Sequence, residues 1–209
     1  MNYSFLSLNA KVGVSAGARA GFNIANLVKF DAPGLSKRKP LLGSDIAGVL
    51  RLDFNKYIGF QMEVEFTQKG QAWSHSLDSL KYYGKFVANY IQFPLLAVAS
   101  YGNHKVKGVF LLGPYFAYWT GGYLQNSIRI DNQTRYEDHQ RFEFTPNEVR
   151  FDVGLTSGIG ADFKVGKGFI ELMSRYNIGF LSTAKKIPDL KQLYNSNFSL
   201  SLGYRYSIQ

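Results

Sequence analysis

The chain has no cysteine. That absence excludes a disulfide scaffold, a thiolate-bound zinc, a thiol nucleophile and a redox CxxC pair together. Charge is sparse, with Asp, Glu, Lys and Arg making up 19% of the 209 residues. At 45% hydrophobic content the chain buries too much apolar surface to be disordered. No stretch of 18 apolar residues occurs, which excludes a transmembrane helix. A transmembrane barrel is not excluded, because it crosses with alternating strands of about 9–11 residues. Helical periodicity is missing as well: no segment repeats apolar residues at three- and four-residue spacing for three turns. The opening stretch MNYSFLSLNAKVG lacks a basic segment leading into an apolar run of signal-peptide length. Two expectations stand: a cytosolic chain, or a mature form whose signal peptide is absent.

What is present is a period of two, carried by 17 Phe, 14 Tyr and 21 Gly. From Lys11 to Ile24, Val12, Val14, Ala16, Ala18, Ala20, Phe22 and Ile24 alternate with Gly13, Ser15, Gly17, Arg19, Gly21 and Asn23. From Asp45 to Phe54, Ile46, Gly48, Leu50, Leu52 and Phe54 alternate with Asp45, Ala47, Val49, Arg51 and Asp53. Tyr57–Thr67 is the cleanest, with Ile58, Phe60, Met62, Val64 and Phe66 against Gly59, Gln61, Glu63, Glu65 and Thr67. Strands near 85–99 and 108–120 are apolar on both faces in places. Three more follow, over 151–163, 170–180 and 198–206, the last setting Phe198, Leu200, Leu202, Tyr204 and Tyr206 against Ser199, Ser201, Gly203 and Arg205. Eight strands account for the chain. Their connections alternate between long and polar (28–43, 68–84, 121–148, 182–196) and short (55–56, roughly 100–107, 164–168). An up-and-down barrel sorts its connections to two ends in this way.

Alternation alone also fits a soluble lipocalin-like barrel with its apolar face inward. The polar face decides between the two. It is Gly, Ser, Asn and Thr, punctuated by Arg19, Arg51, Arg175 and Arg205 and by Glu63, Glu65, Asp152 and Glu171. A water-facing surface would be rich in Lys and Glu, whereas small residues around compensating charges suit a filled lumen. The opposite face is almost free of charge and suits hydrocarbon. Closure removes every sheet edge, as a strand in lipid requires. Tyr57, Phe66, Tyr101, Trp119, Phe169, Phe180, Tyr204 and Tyr206 stand near strand ends and are expected in the two interfacial girdles.

Seven pieces in order carry a resemblance. They are Gly-Ala-Arg-Ala-Gly-Phe-Asn-Ile-Ala-Asn-Leu (17–27), Met-Glu-Val-Glu-Phe-Thr-Gln-Lys-Gly (62–70), Tyr-Ile-Gln-Phe-Pro-Leu-Leu (90–96) and Gly-Pro-Tyr-Phe (113–116). Phe-Asp-Val-Gly-Leu (151–155), Ser-Arg-Tyr-Asn-Ile-Gly (174–179) and Phe-Ser-Leu-Ser-Leu-Gly-Tyr (198–204) complete the set. Together they resemble the PorT-like outer-membrane β-barrel proteins of Bacteroidota. The resemblance implies an outer-membrane location after signal removal, with both termini periplasmic. Most such proteins lack an assigned activity, and some serve a protein-export and gliding-linked secretion system. Family members often end in an aromatic residue, whereas Ser207-Ile208-Gln209 follow Tyr206 here.

Other chemistries find little support. His75, His104 and His139 lie in three separate connections, which suits surface histidines better than a zinc site or a Ser/His/acid triad. Gly158-Ile159-Gly160 sits mid-strand with no following helix, unlike a nucleotide loop. Gly13, Gly17 and Gly21 match the small-residue spacing of helix dimers, but their neighbours have period two. The net charge of +9 could suggest single-stranded nucleic acid. The basic residues, however, concentrate at connections: Lys29, Lys37, Arg38 and Lys39; Lys105 and Lys107; Lys164 and Lys167; Lys185, Lys186 and Lys191. There they would meet anionic lipid head groups. The mixed connection 121–148 is the best candidate for a partner surface.

The sequence therefore predicts an all-β fold: a closed, eight-stranded, antiparallel up-and-down transmembrane β-barrel, a single domain over 1–209, in the bacterial outer membrane. Its lumen holds Arg19, Arg51, Glu63, Glu65, Asp152, Glu171, Arg175 and Arg205. The expected function is non-enzymatic, a scaffold or accessory subunit of a secretion or assembly complex. A small-ligand or lipid-binding barrel and a lipid-modifying enzyme stay open. No cofactor is expected. Expected partners are outer-membrane lipid and lipopolysaccharide and other outer-membrane or periplasmic proteins, not nucleic acid.

Overall fold

The computed structural model describes residues 12–28, 37–77, 80–130, 133–145, 148–182 and 193–208. Residues 1–11 of the opening stretch, and Lys29, Lys185, Lys186 and Lys191, lie outside them. Ten strands follow in order: β1 (Gly13–Val28), β2 (Lys37–Lys39), β3 (Leu41–Asp53), β4 (Ile58–Leu77) and β5 (Leu80–Gly102), then β6 (Val106–Ile130), β7 (Gln133–Arg141), β8 (Phe151–Val165), β9 (Gly168–Ser182) and β10 (Tyr194–Ser207). Eight of them close a ring in the order β1-β3-β4-β5-β6-β8-β9-β10, with β10 pairing back to β1. Every pairing is antiparallel. The short β2 pairs with β4 and β7 with β6, both outside the ring.

Sidedness follows the alternation. Val64 is 57% exposed, while its neighbours Glu63 and Glu65 are buried at 4% and 2%. On β1, Phe22 and Ile24 point out and Arg19 and Asn23 point in. The apolar face thus lies on the outer wall and the ions on the inner one. A barrel turned the other way would be a soluble carrier.

At one end the ring is closed by tight turns with local causes. Asn55 accepts hydrogen bonds through Oδ1 from the backbone N–H of Tyr57 (2.8 Å) and Ile58 (2.9 Å). Asn103 does the same for Lys105 (2.8 Å) and Val106 (2.9 Å). Such Asx turns satisfy backbone donors that the ladder leaves unpaired. The third turn places Gly166 at φ 57°, the left-handed region that glycine enters without a Cβ penalty.

The other end differs from the sequence expectation. Residues 68–84 and 121–148 are not simply long polar loops. The β4–β5 ladder continues to Leu77↔Leu80, and β6 runs on to Ile130 and returns as β7. Likewise β1 reaches Val28, β2 occupies part of 28–43, and β10 begins at Tyr194. Backbone hydrogen bonds do not require an apolar face, so the ladder persists where hydropathy alternation has stopped. The result is a sheet of β4, β5, β6 and β7, with β2 at its edge, standing beyond the ring.

Candidate functional site

The inward residues form layers along the barrel. Nearest the tight turns, Arg51 donates to Asp53 (2.9 Å), Asp162 (3.1 Å) and the Ser100 hydroxyl (2.7 Å). Arg205 donates to Glu171 (3.0 Å), Asp162 (2.5 Å) and Ser15 (2.8 Å). Asp162 therefore joins two guanidiniums.

The middle layer centres on Glu63. Arg175 donates both terminal nitrogens to it at 2.8 Å. Arg19 adds its Nε (3.0 Å) and Nη2 (2.8 Å), and Gln61 donates from the same strand at 2.6 Å. Arg19 also pairs with Asp45 and, at 3.2 Å, with Glu65. Gln92 donates to Glu65 at 3.2 Å.

Above lies a smaller cluster. Lys69 pairs with Asp152 at 3.2 Å, and its Nζ stands 4.9 Å and 4.4 Å from the ring centroids of Tyr90 and Tyr115. Tyr115 (3.2 Å) and Asn195 (3.0 Å) also donate to Asp152. An aromatic cap follows: Trp119 stacks on Tyr90 and on Phe142, and meets Phe86 and Phe144 edge-on. Phe142 and Phe144 come from the segment between β7 and β8.

All eight residues singled out from the sequence point inward and are buried, and the structure brings them into these layers. Arg19, Glu63, Glu65 and Arg175 share one; Arg51, Glu171 and Arg205 share another; Asp152 belongs to the third. Asp45, Lys69 and Asp162 complete them. Among the described residues the buried ions are then five cations (Arg19, Arg51, Lys69, Arg175, Arg205) against six carboxylates (Asp45, Glu63, Glu65, Asp152, Asp162, Glu171). Asp45 stands on the polar row of 45–54 and Asp162 keeps the parity of Asp152 in 151–163, whereas Lys69 falls in the expected connection 68–84. Carrying the alternation on from Thr67 would have placed it inward. Tyr90 and Tyr115 sit on the strands that are apolar on both faces, so no polar row marked them. There the lumen wall is itself apolar, with Leu96, Val98, Val109 and Leu111 packed against Met173.

Two girdle assignments are overturned. Trp119 is 2% exposed and belongs to the lumen cap, and Phe169 shares the inner row of β9 with Glu171, beneath the Arg205 guanidinium. Phe169 sits next to the start of β9, and Trp119 ends the expected strand 108–120 although β6 runs on to Ile130; nearness to an expected rim says nothing about which face a ring takes. Tyr57, Tyr101, Phe180, Tyr204 and Tyr206 are exposed on the outer wall.

Ions buried this deeply persist only when paired and hydrogen-bonded, because desolvation costs several kcal/mol per ion. Arg51, Arg175, Arg205, Lys69, Gln61, Gln92 and Glu65 are among the most fully buried side chains. Any water-sized space beside them would leave exposed surface, so the lumen is plugged at these layers. The histidines do not converge: His139 stacks on Tyr123 in the outer sheet, and His104 lies in a tight turn at the far end. The outer sheet has a groove of about 350 Å³ beside Lys39, Tyr83, Lys85 and Arg129. Lys39 and Arg129 both sit over the Tyr83 ring, at 5.3 Å and 5.5 Å.

Several solved structures are similar to the chain at low identity. Neisserial surface protein A has a TM-score of 0.47 and 14% identity over 93% of this chain and 97% of that one. OprG from Pseudomonas aeruginosa has a TM-score of 0.46 and 11% identity over 93% and 95%. Ail, the attachment invasion locus protein of Yersinia pestis, in complex with the heparin analogue sucrose octasulfate, has 0.40 and 15% over 93% and 99%. No curated protein matches the sequence. Residues 8–185 match the outer membrane protein beta-barrel domain; the chain belongs to that family and is a barrel of the bacterial outer membrane.

Proposed function

We propose that the protein is a non-enzymatic scaffold or accessory subunit of an outer-membrane secretion or assembly complex, of the PorT-like kind found in Bacteroidota. The observation that carries this reading is the pairing of a plugged lumen with a sheet that outgrows the ring. A lumen closed by Arg175–Glu63 and Arg51–Asp162 offers no route for solute. It also leaves no room for a ligand at those layers, which counts against a carrier. Outer-membrane barrels put short turns toward the periplasm and longer segments outside. The sheet of β4–β7 therefore stands on the outer side, with Lys39, Lys85 and Arg129 about its groove. A partner presenting acidic groups to that sheet fits the charge.

The test compares native barrel with a variant in which residues 123–141 are replaced by a short polar loop, both purified in mild detergent. Co-purification of the same partner with the native protein, and its loss from the variant, supports the reading. A lone monomer in both preparations contradicts it.

A further inference from the structure

Two cavities of opposite character meet at the tight-turn end of the barrel. One, of about 560 Å³, lies between the first two turns and is lined by Lys56, Tyr57, Tyr101, Asn103, His104 and Lys107. The other, of about 490 Å³, runs along the outer wall beside Ile58, Ala99, Gly108, Phe110 and Ile159. Tyr57 and Tyr101 line both, and Tyr101 is 81% exposed. The floor of the second cavity is made of small residues, Ala99 and Gly108, between the larger Ile58, Phe110 and Ile159. That wall faces acyl chains.

The end carries excess positive charge. Lys56, Lys105, Lys107, Lys164 and Lys167 all lie in or next to its turns. The nearby carboxylates are engaged: Asp53 by Arg51, and Asp162 by Arg51 and Arg205. Lys56 is held over the Tyr57 ring at 4.7 Å, at the junction of the two cavities.

We infer that these cavities form one binding site for an anionic phospholipid of the periplasmic leaflet. Its phosphodiester lies among Lys56, Lys107 and His104, its glycerol region between Tyr57 and Tyr101, and one acyl chain in the Ala99–Gly108 groove. The polarity change at the tyrosines is that of the lipid itself. A zwitterionic head group brings an ammonium toward the lysines and binds less well. This goes beyond the scaffold reading and needs only the membrane embedding.

The test is native mass spectrometry of the detergent-solubilised barrel, titrated with phosphatidylglycerol or with phosphatidylethanolamine. Wild type is expected to retain one phosphatidylglycerol at collision energies that strip phosphatidylethanolamine. Lys56→Gln and Lys107→Gln should each weaken phosphatidylglycerol retention roughly fivefold, and together about 30-fold. Lys85→Gln, at the opposite end, should leave it unchanged. Gly108→Leu tests the groove independently. A Cβ there meets nothing nearer than the Tyr101 carbonyl oxygen at 3.6 Å, so the barrel keeps its fold and its heat-modifiable gel migration. That variant should lose retention of both lipids. Equal retention of the two lipids by wild type, or an unaffected Gly108→Leu, overturns the inference. So does full displacement of the lipid by glycerol phosphate alone, which would reduce the site to a bare phosphate contact.

Discussion

Arg175 on β9 donates both terminal guanidinium nitrogens to Glu63 on β4, 112 positions earlier, at 2.8 Å each. In the ring order these strands lie four steps apart in either direction, so the pair spans the diameter of the barrel. Arg51 on β3 and Asp162 on β8 span it a second time, nearer the tight turns. Only a ring this narrow lets two side chains meet across its centre. The lumen is thus braced from wall to wall, and neighbouring strands are held by more than their ladders.

The two halves of that brace are unequal. Glu63 serves both Arg175 and Arg19, whereas Arg175 serves Glu63 and, at 3.7 Å, Glu171. Glu63→Leu leaves Arg175 with only the distant Glu171 and takes one of three carboxylates from Arg19; Arg175→Leu leaves Glu63 with Arg19. Both should destabilise, Arg175→Leu by ~3 kcal/mol and Glu63→Leu by ~5 kcal/mol, the range for breaking buried pairs. Urea unfolding in lipid vesicles, followed by heat-modifiable gel migration, measures this. Equal midpoints for the two variants would contradict the hub role of Glu63.

A similar asymmetry holds one layer up. Removing the charge of Lys69 as Lys69→Met leaves Asp152 with hydrogen bonds from Tyr115 and Asn195 and keeps a long apolar stem between the Tyr90 and Tyr115 rings. Asp152→Leu removes three bonds and leaves an ammonium facing two rings. The expected losses are ~1–2 kcal/mol for Lys69→Met and ~3–5 kcal/mol for Asp152→Leu. A larger loss for Lys69→Met in the same unfolding assay would show that the lysine, not the carboxylate, organises the layer.

These layers were legible in the sequence to different degrees. Glu63 and Glu65 stand out because each is an ion flanked by apolar residues on a clean two-residue period, and Arg175, between Ser174 and Tyr176, keeps the parity of Glu171 and Asn177. Their partners across the diameter are invisible, since sequence distance carries no information on which strand lies opposite. Lys69 was missed because hydropathy alternation fades above Thr67, although the Gln61-Glu63-Glu65-Thr67-Lys69-Gln71 row continues in register. Trp119 is misplaced for the reverse reason: an aromatic at the end of the expected strand 108–120 fits a membrane girdle and a lumen cap equally well by composition. The outer sheet looks like loops in the sequence because ladders there are held by backbone bonds, with polar side chains on both faces.

Gly84 tests the packing of that sheet. It pairs with Trp73, and a Cβ built at Gly84 would fall 2.2 Å from the indole. The obstacle is the side chain, not the backbone, so Gly84→Ala should displace the Trp73 ring while the ring of strands stays closed. In a Trp119→Phe background Trp73 is the remaining tryptophan. Its emission maximum should shift to the red on Gly84→Ala, with heat-modifiable migration unchanged. An unshifted spectrum would mean that the indole does not lie on Gly84.

The plugged lumen has a direct electrical consequence. With Arg51, Arg175, Arg205 and Lys69 among the most buried side chains, no water-filled path passes these layers. Wild-type barrel in a planar bilayer should therefore show no steady step conductance. Truncating both ends of the central brace, as Glu63→Ala with Arg175→Ala, removes a matched pair of charges and leaves Arg19 with Asp45 and Glu65. The ring itself is held by its ladders, so the double variant should fold, with a loss smaller than the sum of the two single losses by ~1–3 kcal/mol. The space vacated is lined by polar groups able to hold water. Small steps should then appear in the double variant. Open steps of equal size in the wild type would refute the plug and, with it, the argument that this barrel works through its outer surfaces.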